Sequence, residues 1–479
     1  MLRLRDGQAE LFDAVMPAEA RTLSPELAAV DALLDDERFL APFVARFACP
    51  IGRPTIPIET YLRLMYLKHR HGLGYETLVE EVSDSISWRR FCRIGLSSRV
   101  PHSTTVLKLT RRFGPEIIDE LNREALKAAV QKKLLRSRRL RVDCTVMEAD
   151  IKYPTDSGLC AHAIDRLSRA VKAVKSAGLA LRTRFRNRNR SAAKIARRMS
   201  LGLGRPGSQA TVLRLTGELA SLTQKVIRQA KRVLGNARRR GKQVSKKAAA
   251  AMSRLATDLE RSERVVGQST RRAAGETTIP DRVISLCDVD ARPIRRGKLR
   301  NPTEFGYKVA VGDTPEGFVV AHEVQRGNPV DAETLAPLLR QAKSIGMRVR
   351  TVFGDRGYGR EPADQVIAEA GIPDKVIPRM GRADPIETTR AWRRRYRWRA
   401  GAEGRISSLK RRFGWNRTRL KGHTGARIWS GYGVGEQYWA DGRSGWVSMR
   451  QSGNPSTQST RQLPIAQLLL RNYGFFRGM

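Results

Sequence analysis

A single carboxylate, Glu403, stands in a strongly basic stretch of the chain, YRWRAGAEGRISSLK, which runs from Tyr396 to Lys410. It is the only acidic residue between Glu387 and Glu436. Ion pairs between residues three or four apart usually explain a charged helix face, but here one acid would serve several cations. A carboxylate kept among cations that attract phosphate indicates a divalent cation, because Mg²⁺ prefers oxygen ligands and is usually held by a few carboxylates together with substrate phosphate.

Two further acids lie where a predicted sheet could present them. In LRVDCTVM the side chains alternate, which predicts a strand that carries Asp143 on one face. In MRVRTVFGDRGYG a buried strand over residues 349–353 leads to Asp355 in a Gly-rich turn. Functional groups in α/β sheets gather at the carboxyl ends of strands, although a strand-end aspartate more often caps a turn than binds a metal. Rival acids occur in the same domain, namely Glu148, Asp150, Asp288 and Asp290.

A helix through the basic stretch would gather several functional side chains on one face. At about 100° per residue, four residues fall within roughly 60° of one another and a fifth joins them: Tyr396, Arg399, Glu403 and Lys410, then Trp392. The face would therefore carry aromatic, guanidinium, carboxylate and ammonium groups in one stripe.

The elements that must position these residues are predicted to form a mixed α/β sheet with helices on its faces. From residue 140 the pattern predicts a strand, inserted helices, two hairpin strands in EFGYKVAVGDTPEGFVVAHEV, and then helix, strand, helix, strand and helix. We assign residues 136–160 and 280–434 to this domain. Residues 1–135 are predicted to be all-helical, with apolar residues at helical spacing in PIETYLRLMYLKHRHG. A helix-turn-helix DNA reader and a plain helical bundle explain that pattern about equally well.

Residues 161–279 form a basic insertion. Between Arg166 and Gly217 there are 14 lysine or arginine residues and no acid. The pattern is helical except around GLGRPGSQ, which predicts a hinge between two long helices. We expect a basic helical hairpin that lies along DNA phosphates, because a merely solvated face would not carry charge this unbalanced.

The whole chain is basic. Its 479 residues include 90 lysines and arginines against 47 acids, a formal charge of +43. Such a chain repels itself unless it meets a polyanion, and nucleic acid fits because neutralising its phosphates releases counterions. The sequence contains no run of 18 apolar residues, no signal-peptide pattern and no C-x-x-C pair among its 5 cysteines. We expect a cytoplasmic, nucleoid-associated protein with no membrane partner.

The acids and the basic stretch together resemble a known family. Asp143 in VDCTVMEAD, Asp355 in FGDRGYG and Glu403 in YRWRAGAEGRISSLK look like the catalytic triad of DDE transposases from prokaryotic insertion sequences. The spacing Tyr-x2-Arg-x3-Glu-x6-Lys is met in full. The resemblance covers about residues 50–434, and IETYLRLMYLKHRHGLGYETL, EFGYK and GNPVD are most similar to the ISNCY-type group.

The resemblance implies an RNase H-like catalytic domain that cleaves the ends of an insertion sequence and joins them to target DNA. Asp143, Asp355 and Glu403 would be the catalytic, metal-ligating residues for Mg²⁺, with Mn²⁺ as an alternative ion. The partner would be double-stranded DNA, both terminal inverted repeats and target, bound by a homodimer on paired ends. DNA contacts are expected from Tyr396, Arg399, Lys410, Trp392 and Arg356. Trp392 is the candidate to stack on a flipped base, whereas turn packing is an equally good explanation for Arg356.

After Val434 the resemblance ends. The sequence GEQYWADGRSGWVSMRQSGNPSTQSTRQ is polar and rich in Gly and Ser, so residues 435–479 are predicted to form an atypical, disordered tail. A reading-frame change near codon 434 is our hypothesis for its origin. If the tail does not supply a packing partner for the catalytic helix, the chain would be a catalytically decayed transposase that acts only as a DNA-binding protein. This is the second interpretation. A nuclease of the same fold that cuts without joining is a further alternative.

Overall fold

A computed structural model describes residues 1–5, 16–46, 52, 54–202, 207–239, 244–295 and 302–440. Within these ranges helices surround a mixed sheet, which confirms the predicted α/β class. Most of the predicted tail, from residue 441 onward, lies outside the described residues. None of the helices in these ranges is long and apolar enough to cross a membrane.

The described part of the chain before the sheet is helical, as predicted. Its helices are α1 (Ala18–Arg21), α2 (Pro25–Leu34), α3 (Ala41–Arg46), α4 (Ile58–Arg70), α5 (Tyr75–Asp84), α6 (Ile86–Phe91) and α7 (Ser103–Gln131). α4 has apolar residues at helical spacing, as predicted, and nearly all of its residues are buried. Ser85 separates α5 from α6, because its hydroxyl accepts a hydrogen bond from Trp88 N at 3.2 Å and caps the second helix.

The sheet is built from strands that are far apart in sequence. They are β1 (Arg139–Ala149), β2 (Arg292–Arg295), β3 (Thr303–Asp313), β4 (Val319–Val324), β5 (Thr351–Phe353), β6 (Asp374–Val376) and β7 (Arg417–Thr418). The order is β2-β3-β1-β5-β6, with β4 paired to β3 and β7 paired to β1. β3 runs antiparallel to β1, and β5 runs parallel to it. The predicted hairpin is confirmed as β3 and β4. The strand expected over residues 349–353 is shorter, because pairing with β1 begins at Thr351.

The insertion is a helical unit with its own core, and the prediction of a hairpin of two helices was wrong. It contains α8 (Asp156–Ser176), α9 (Asn189–Gly202), α10 (Ser208–Arg239) and α11 (Lys246–Ala273). The helices α8, α10 and α11 pack against one another, and α9 packs on α8 and α10. Each helix contributes an apolar face to a second hydrophobic cluster, which is why the segment folds into a bundle instead of an extended hairpin.

The last helices are α12 (Leu335–Ser344), α13 (Glu361–Glu369), α14 (Arg390–Ala400), α15 (Ala402–Arg412) and α16 (Gly422–Ala440). The single helix expected through the basic stretch is two helices, α14 and α15. The chain turns at Gly401, whose N–H donates to Trp398 O at 3.2 Å. A Cβ at Gly401 would lie 2.7 Å from Arg141 Nη1, so the close approach of this turn to β1 favours glycine.

One hydrophobic core joins the N-terminal helices to the sheet, so the described part of residues 1–135 shares its core with the sheet. α16 links the two parts, because it packs on α7, β4 and α4. The hydroxyls of Tyr61 and Tyr432 lie 2.8 Å apart in this contact. α16 also continues to Ala440, past the predicted start of the disordered tail at residue 435. Tyr438 is buried, and its hydroxyl donates to the carbonyl oxygen of Val319.

Candidate active site

Two of the predicted acids, Asp143 and Asp355, meet at one guanidinium group. Arg399 Nη2 lies 3.0 Å from Asp143 Oδ2 and 3.5 Å from Asp355 Oδ2. Asp143 lies within β1, and Asp355 follows the parallel neighbour β5. Strand pairing therefore places two carboxylates side by side that are far apart in sequence, and α14 supplies the cation between them.

The two carboxylates are held by the backbone and partly shielded from water. Asp143 is buried, with 7% of its surface exposed, and its Oδ1 accepts a hydrogen bond from Cys144 N at 2.8 Å. Asp355 Oδ1 accepts one from Gly357 N at 2.9 Å. Burial raises the pKa of Asp355 and the carboxylate of Asp331 raises it further, whereas Arg399 opposes both effects. The cation therefore opposes the rise in pKa that burial and Asp331 cause.

α14 packs against the sheet beside Asp143 and Asp355. The Trp398 ring packs edge-on against Phe353 of β5, with centroids 4.7 Å apart. The guanidinium of Arg141 lies 4.8 Å from the Trp398 ring, and its Nη1 donates to Trp398 O at 2.7 Å. Arg141 also forms a buried ion pair with Asp313 at 2.5 Å. These contacts orient the helix so that Arg399 reaches the two aspartates.

Three more predicted DNA-binding residues lie around the same pair. Trp392 and Tyr396 are stacked, with ring centroids 4.8 Å apart and an angle of 15°. Burial raises the pKa of Tyr396, while the nearby cations Arg399 and Arg356 lower it and Asp355 raises it. Arg356 is exposed in the short turn after Asp355. Tyr396 and Arg356 therefore lie close enough to the acids to interact with them electrostatically, and Trp392 stacks on Tyr396.

Glu403 and Lys410 lie on α15, beyond the turn at Gly401. Glu403 is exposed in the first turn, and among the described residues its carboxylate has neither a hydrogen bond nor an ion pair. Lys410 is half-buried in the last turn. No set of three or more acidic, histidine or cysteine side chains in the described ranges is arranged to hold a metal ion. Arg399 contacts both Asp143 and Asp355, whereas the carboxylate of Glu403 makes no polar contact among the described residues.

A third acid beside Asp355 was missed by sequence reasoning. Asp331 begins the short turn before α12, and its Oδ1 lies 2.5 Å from Lys308 Nζ of β3. A Cβ on Gly357 would collide with Asp331 Oδ2 and would lie 3.0 Å from Asp355 Oδ1. The glycine therefore separates two carboxylates that flank it. EFGYK and GNPVD contain Lys308 and Asp331, but nothing in those segments indicates that they pair beside Asp355.

The rival acids make structural contacts elsewhere. Asp288 accepts hydrogen bonds from Tyr307 OH at 2.5 Å and from the first backbone N–H of α16. Asp290 accepts one from the next N–H of that helix, so the pair caps α16. Glu148 pairs with Arg417 at 2.9 Å.

The aspartate pair suits a hard divalent cation. Its two carboxylates offer the oxygen ligands that Mg²⁺ takes from proteins, and this ion commonly completes its coordination with water and substrate phosphate. Exposed arginines beside the pair would attract that phosphate. The arrangement is chemically suited to cutting or joining phosphodiester bonds.

Comparison with known proteins gives independent matches. Residues 16–112 match a family described as "Transposase domain (DUF772)", and residues 281–431 match "Transposase DDE domain". The second match includes Asp355 and Glu403, whereas Asp143 precedes it. The chain is also 33% identical over 157 residues to "Uncharacterized protein ORF8 in nfe locus" of Rhizobium meliloti, which covers 32% of this chain and 74% of that protein. No solved structure matches the chain.

Proposed function

This chain belongs to the DDE transposases of insertion-sequence type, and we propose that it cleaves the ends of its own insertion sequence and joins them to target DNA. The observation that carries the proposal is the meeting of Asp143 and Asp355 at Arg399 on adjacent strands. We further propose that the sheet is RNase H-like and that the chain is of the ISNCY type.

Asp143, Asp355 and Glu403 are the proposed ligands of Mg²⁺, with Mn²⁺ as an alternative. Bound metal ions would activate the attacking water or 3′-hydroxyl and stabilise the leaving oxygen. The chain itself fixes one oxygen of each aspartate with a backbone N–H, which leaves Oδ2 of both facing the same cation. Glu403 is supported by the spacing Tyr-x2-Arg-x3-Glu-x6-Lys and not by contact with the other two acids.

DNA binding at the site is proposed for Tyr396, Arg399, Lys410, Trp392 and Arg356. Arg356 is exposed beside Asp355, so its fork of donors is available to a phosphate near the acids. The ring of Trp392 is only partly buried by its stack on Tyr396, which leaves surface for a base. The proposed partner is double-stranded DNA, held by a homodimer on paired ends.

A catalytically decayed transposase that only binds DNA is the second candidate. The Glu403 carboxylate makes no polar contact among the described residues, and a buried carboxyl group, Glu436, lies near the end of α16. Both features would suit a copy whose catalytic helix is poorly supported.

The test is Mg²⁺-dependent cleavage of DNA that carries the inverted repeats found beside the gene. Wild type is compared with Asp143→Asn and Glu403→Gln, and binding to the same DNA is recorded for each protein. Glu369→Gln is the matched control, because Glu369 is an exposed glutamate on α13 of the same domain. We expect wild type and the control to cleave, and both site variants to bind but to lose more than about 100-fold in rate, as loss of a metal ligand implies.

Each departure from that result has a distinct meaning. Cleavage by Glu403→Gln at the wild-type rate would remove Glu403 from the ligands and leave the aspartate pair. Binding without cleavage by wild type would support the decayed copy. Cleavage without joined product would identify a nuclease, so the products are also analysed for strand transfer.

A further inference from the structure

An arginine-rich segment on the surface of the insertion leads from the region after α8 into the first turn of α9. We call residues 182–190, RTRFRNRNR, the arginine segment. Side chains of Thr183 and Phe185 are half-buried, and Phe185 packs against the core of the insertion. The intervening arginines project outward, and the exposed ones are Arg182, Arg184, Arg186 and Arg190.

The arginine segment has little regular secondary structure, but neighbouring helices hold it in place. Lys175 Nζ of α8 donates to Thr183 O at 2.6 Å. From α10, Asn236 Nδ2 donates to Thr183 Oγ1 at 2.9 Å, and Gln229 Oε1 accepts from Arg186 N at 2.9 Å. The backbone is therefore fixed before any partner arrives, which lowers the entropy cost of binding.

The face of α10 that holds the arginine segment is itself basic. Gln229 and Asn236 are two turns apart, and at about 100° per residue three cations lie within roughly 60° of them. These cations, Lys225, Arg232 and Arg239, are all exposed.

A second basic stripe continues from the end of the arginine segment along α9. Arg190, Lys194 and Arg197 are spaced by four and three residues, so they share one helix face. All three are exposed. Because α9 packs on α10, this stripe and the α10 stripe lie on adjoining helices.

The insertion's few acids neutralise other cations. Arg166 pairs with Asp258, Arg214 with Glu218, and Lys231 with Glu263. Among the described residues, no carboxylate lies within ion-pair distance of the exposed cations of the arginine segment, or of the three cations of either stripe. The arginine segment and the two stripes therefore carry exposed cations that have no ion pair in the described part of the chain, on adjoining elements that together form one basic surface.

We propose that this surface binds the phosphate backbone of duplex DNA without reading its sequence. The identity of the partner as DNA rests on the proposed transposase function. Arginine forks match phosphate oxygens, and each neutralised phosphate releases counterions. A stacking platform for single strands needs exposed aromatic rings, but Phe185, the aromatic residue of the arginine segment, is turned into the core. The surface therefore binds duplex DNA outside the inverted repeats, either the DNA that flanks the insertion sequence or the target DNA.

The test uses the full chain with Arg182, Arg184 and Arg186 changed to glutamine together. Binding to a short duplex without the inverted repeats is measured over a range of salt concentrations. Each lost phosphate contact lowers the salt slope by about 0.9, so we expect the triple variant to lose roughly 2 to 3 units of slope. Melting curves verify that the variant is folded.

A matched control removes the same charge elsewhere on the insertion. Arg214, Lys231 and Arg271 are exposed cations that already have carboxylate partners, and they are changed to glutamine together. We expect this control to keep a salt slope within about one unit of wild type. An equal loss of slope in both triple variants would show that net charge alone matters and would overturn the proposal.

Two further outcomes would also overturn it. Unchanged duplex binding by the arginine-segment variant would show that the surface is not used. Loss of binding to anionic phospholipid vesicles, with duplex binding intact, would identify a membrane surface as the partner. Cleavage of a short DNA with the inverted repeats is measured in parallel. A wild type that never cleaves, but whose duplex binding depends on the arginine segment, would refute the catalytic proposal and support this one.

Discussion

Replacing Glu436 with glutamine should stabilise the protein at neutral and alkaline pH. Glu436 lies on α16 with 1% of its surface exposed, and among the described residues neither carboxyl oxygen has a hydrogen-bond partner. Burial raises the pKa of Glu436 from 4.5 to about 8, although Arg70 and Arg412 oppose the shift. The folded protein therefore holds a proton on this residue more tightly than the unfolded chain does.

The size of the effect follows from that shift. Below pH 4.5 the carboxyl group is protonated in both states, so its contribution to stability is fully present there. The contribution is lost as the pH rises through about 8, because the unfolded chain ionises freely while the folded one does not. At about 1.4 kcal/mol per pKa unit, the loss is roughly 4 to 5 kcal/mol. That is a large part of a typical unfolding free energy of about 5 to 15 kcal/mol.

The assay compares melting temperatures near pH 5 and above pH 8. Wild type should lose stability between the two conditions, whereas Glu436→Gln and Glu436→Met should lose much less. Glu80→Gln is the control, because it removes a carboxylate that is exposed on α5. An identical pH dependence in wild type, Glu436→Gln and Glu80→Gln would show that Glu436 ionises without penalty and would refute the reasoning.

Three other substitutions have outcomes that can be measured. Arg141→Met should lower the free energy of unfolding by about 3 kcal/mol, because it removes the buried ion pair with Asp313. It should also slow DNA cleavage, because the hydrogen bond that holds α14 through Trp398 O is lost. Melting curves and cleavage assays measure the two effects. Burial lowers the pKa of Lys68 to about 7, so its contribution to stability is present above its unfolded pKa and is lost as the pH falls through 7. Lys68→Met should remove that dependence from melting curves at pH 7 and about pH 10. Trp392→Ala should leave the fold intact and reduce cleavage of inverted-repeat ends; intact cleavage would exclude base stacking on the ring that packs on Tyr396.

Local periodicity predicted most of the regular elements. Alternation in LRVDCTVM and in the EFGYK hairpin predicted β1, β3 and β4, because side chains of a strand point to opposite faces at every step. Apolar spacing predicted α4 in the same way. The expected family, the DDE transposases of insertion-sequence type, is confirmed by two family matches. The strands and the helix depend on residues close together in sequence, so the sequence was sufficient for them.

Breaks and boundaries were less predictable. The turn at Gly401 depends on Arg141, which approaches from β1, and periodicity within one segment contains no information about that neighbour. The insertion is a bundle because the apolar faces of its four helices pack together. Its many charged residues concealed those apolar faces in the sequence. α16 continues past residue 434 because Tyr438 packs against β4, despite the polar sequence around it.

The sequence by itself determined the residue types available for chemistry, the class of fold and the strong attraction to polyanions. Tertiary structure alone decided that Asp143 and Asp355 share Arg399, that Asp331 flanks Asp355, and that the Glu403 carboxylate makes no polar contact among the described residues. The physical reason is that the meeting of distant side chains depends on strand register and on the packing of α14 against the sheet. Neither is encoded in the spacing of residues along one segment.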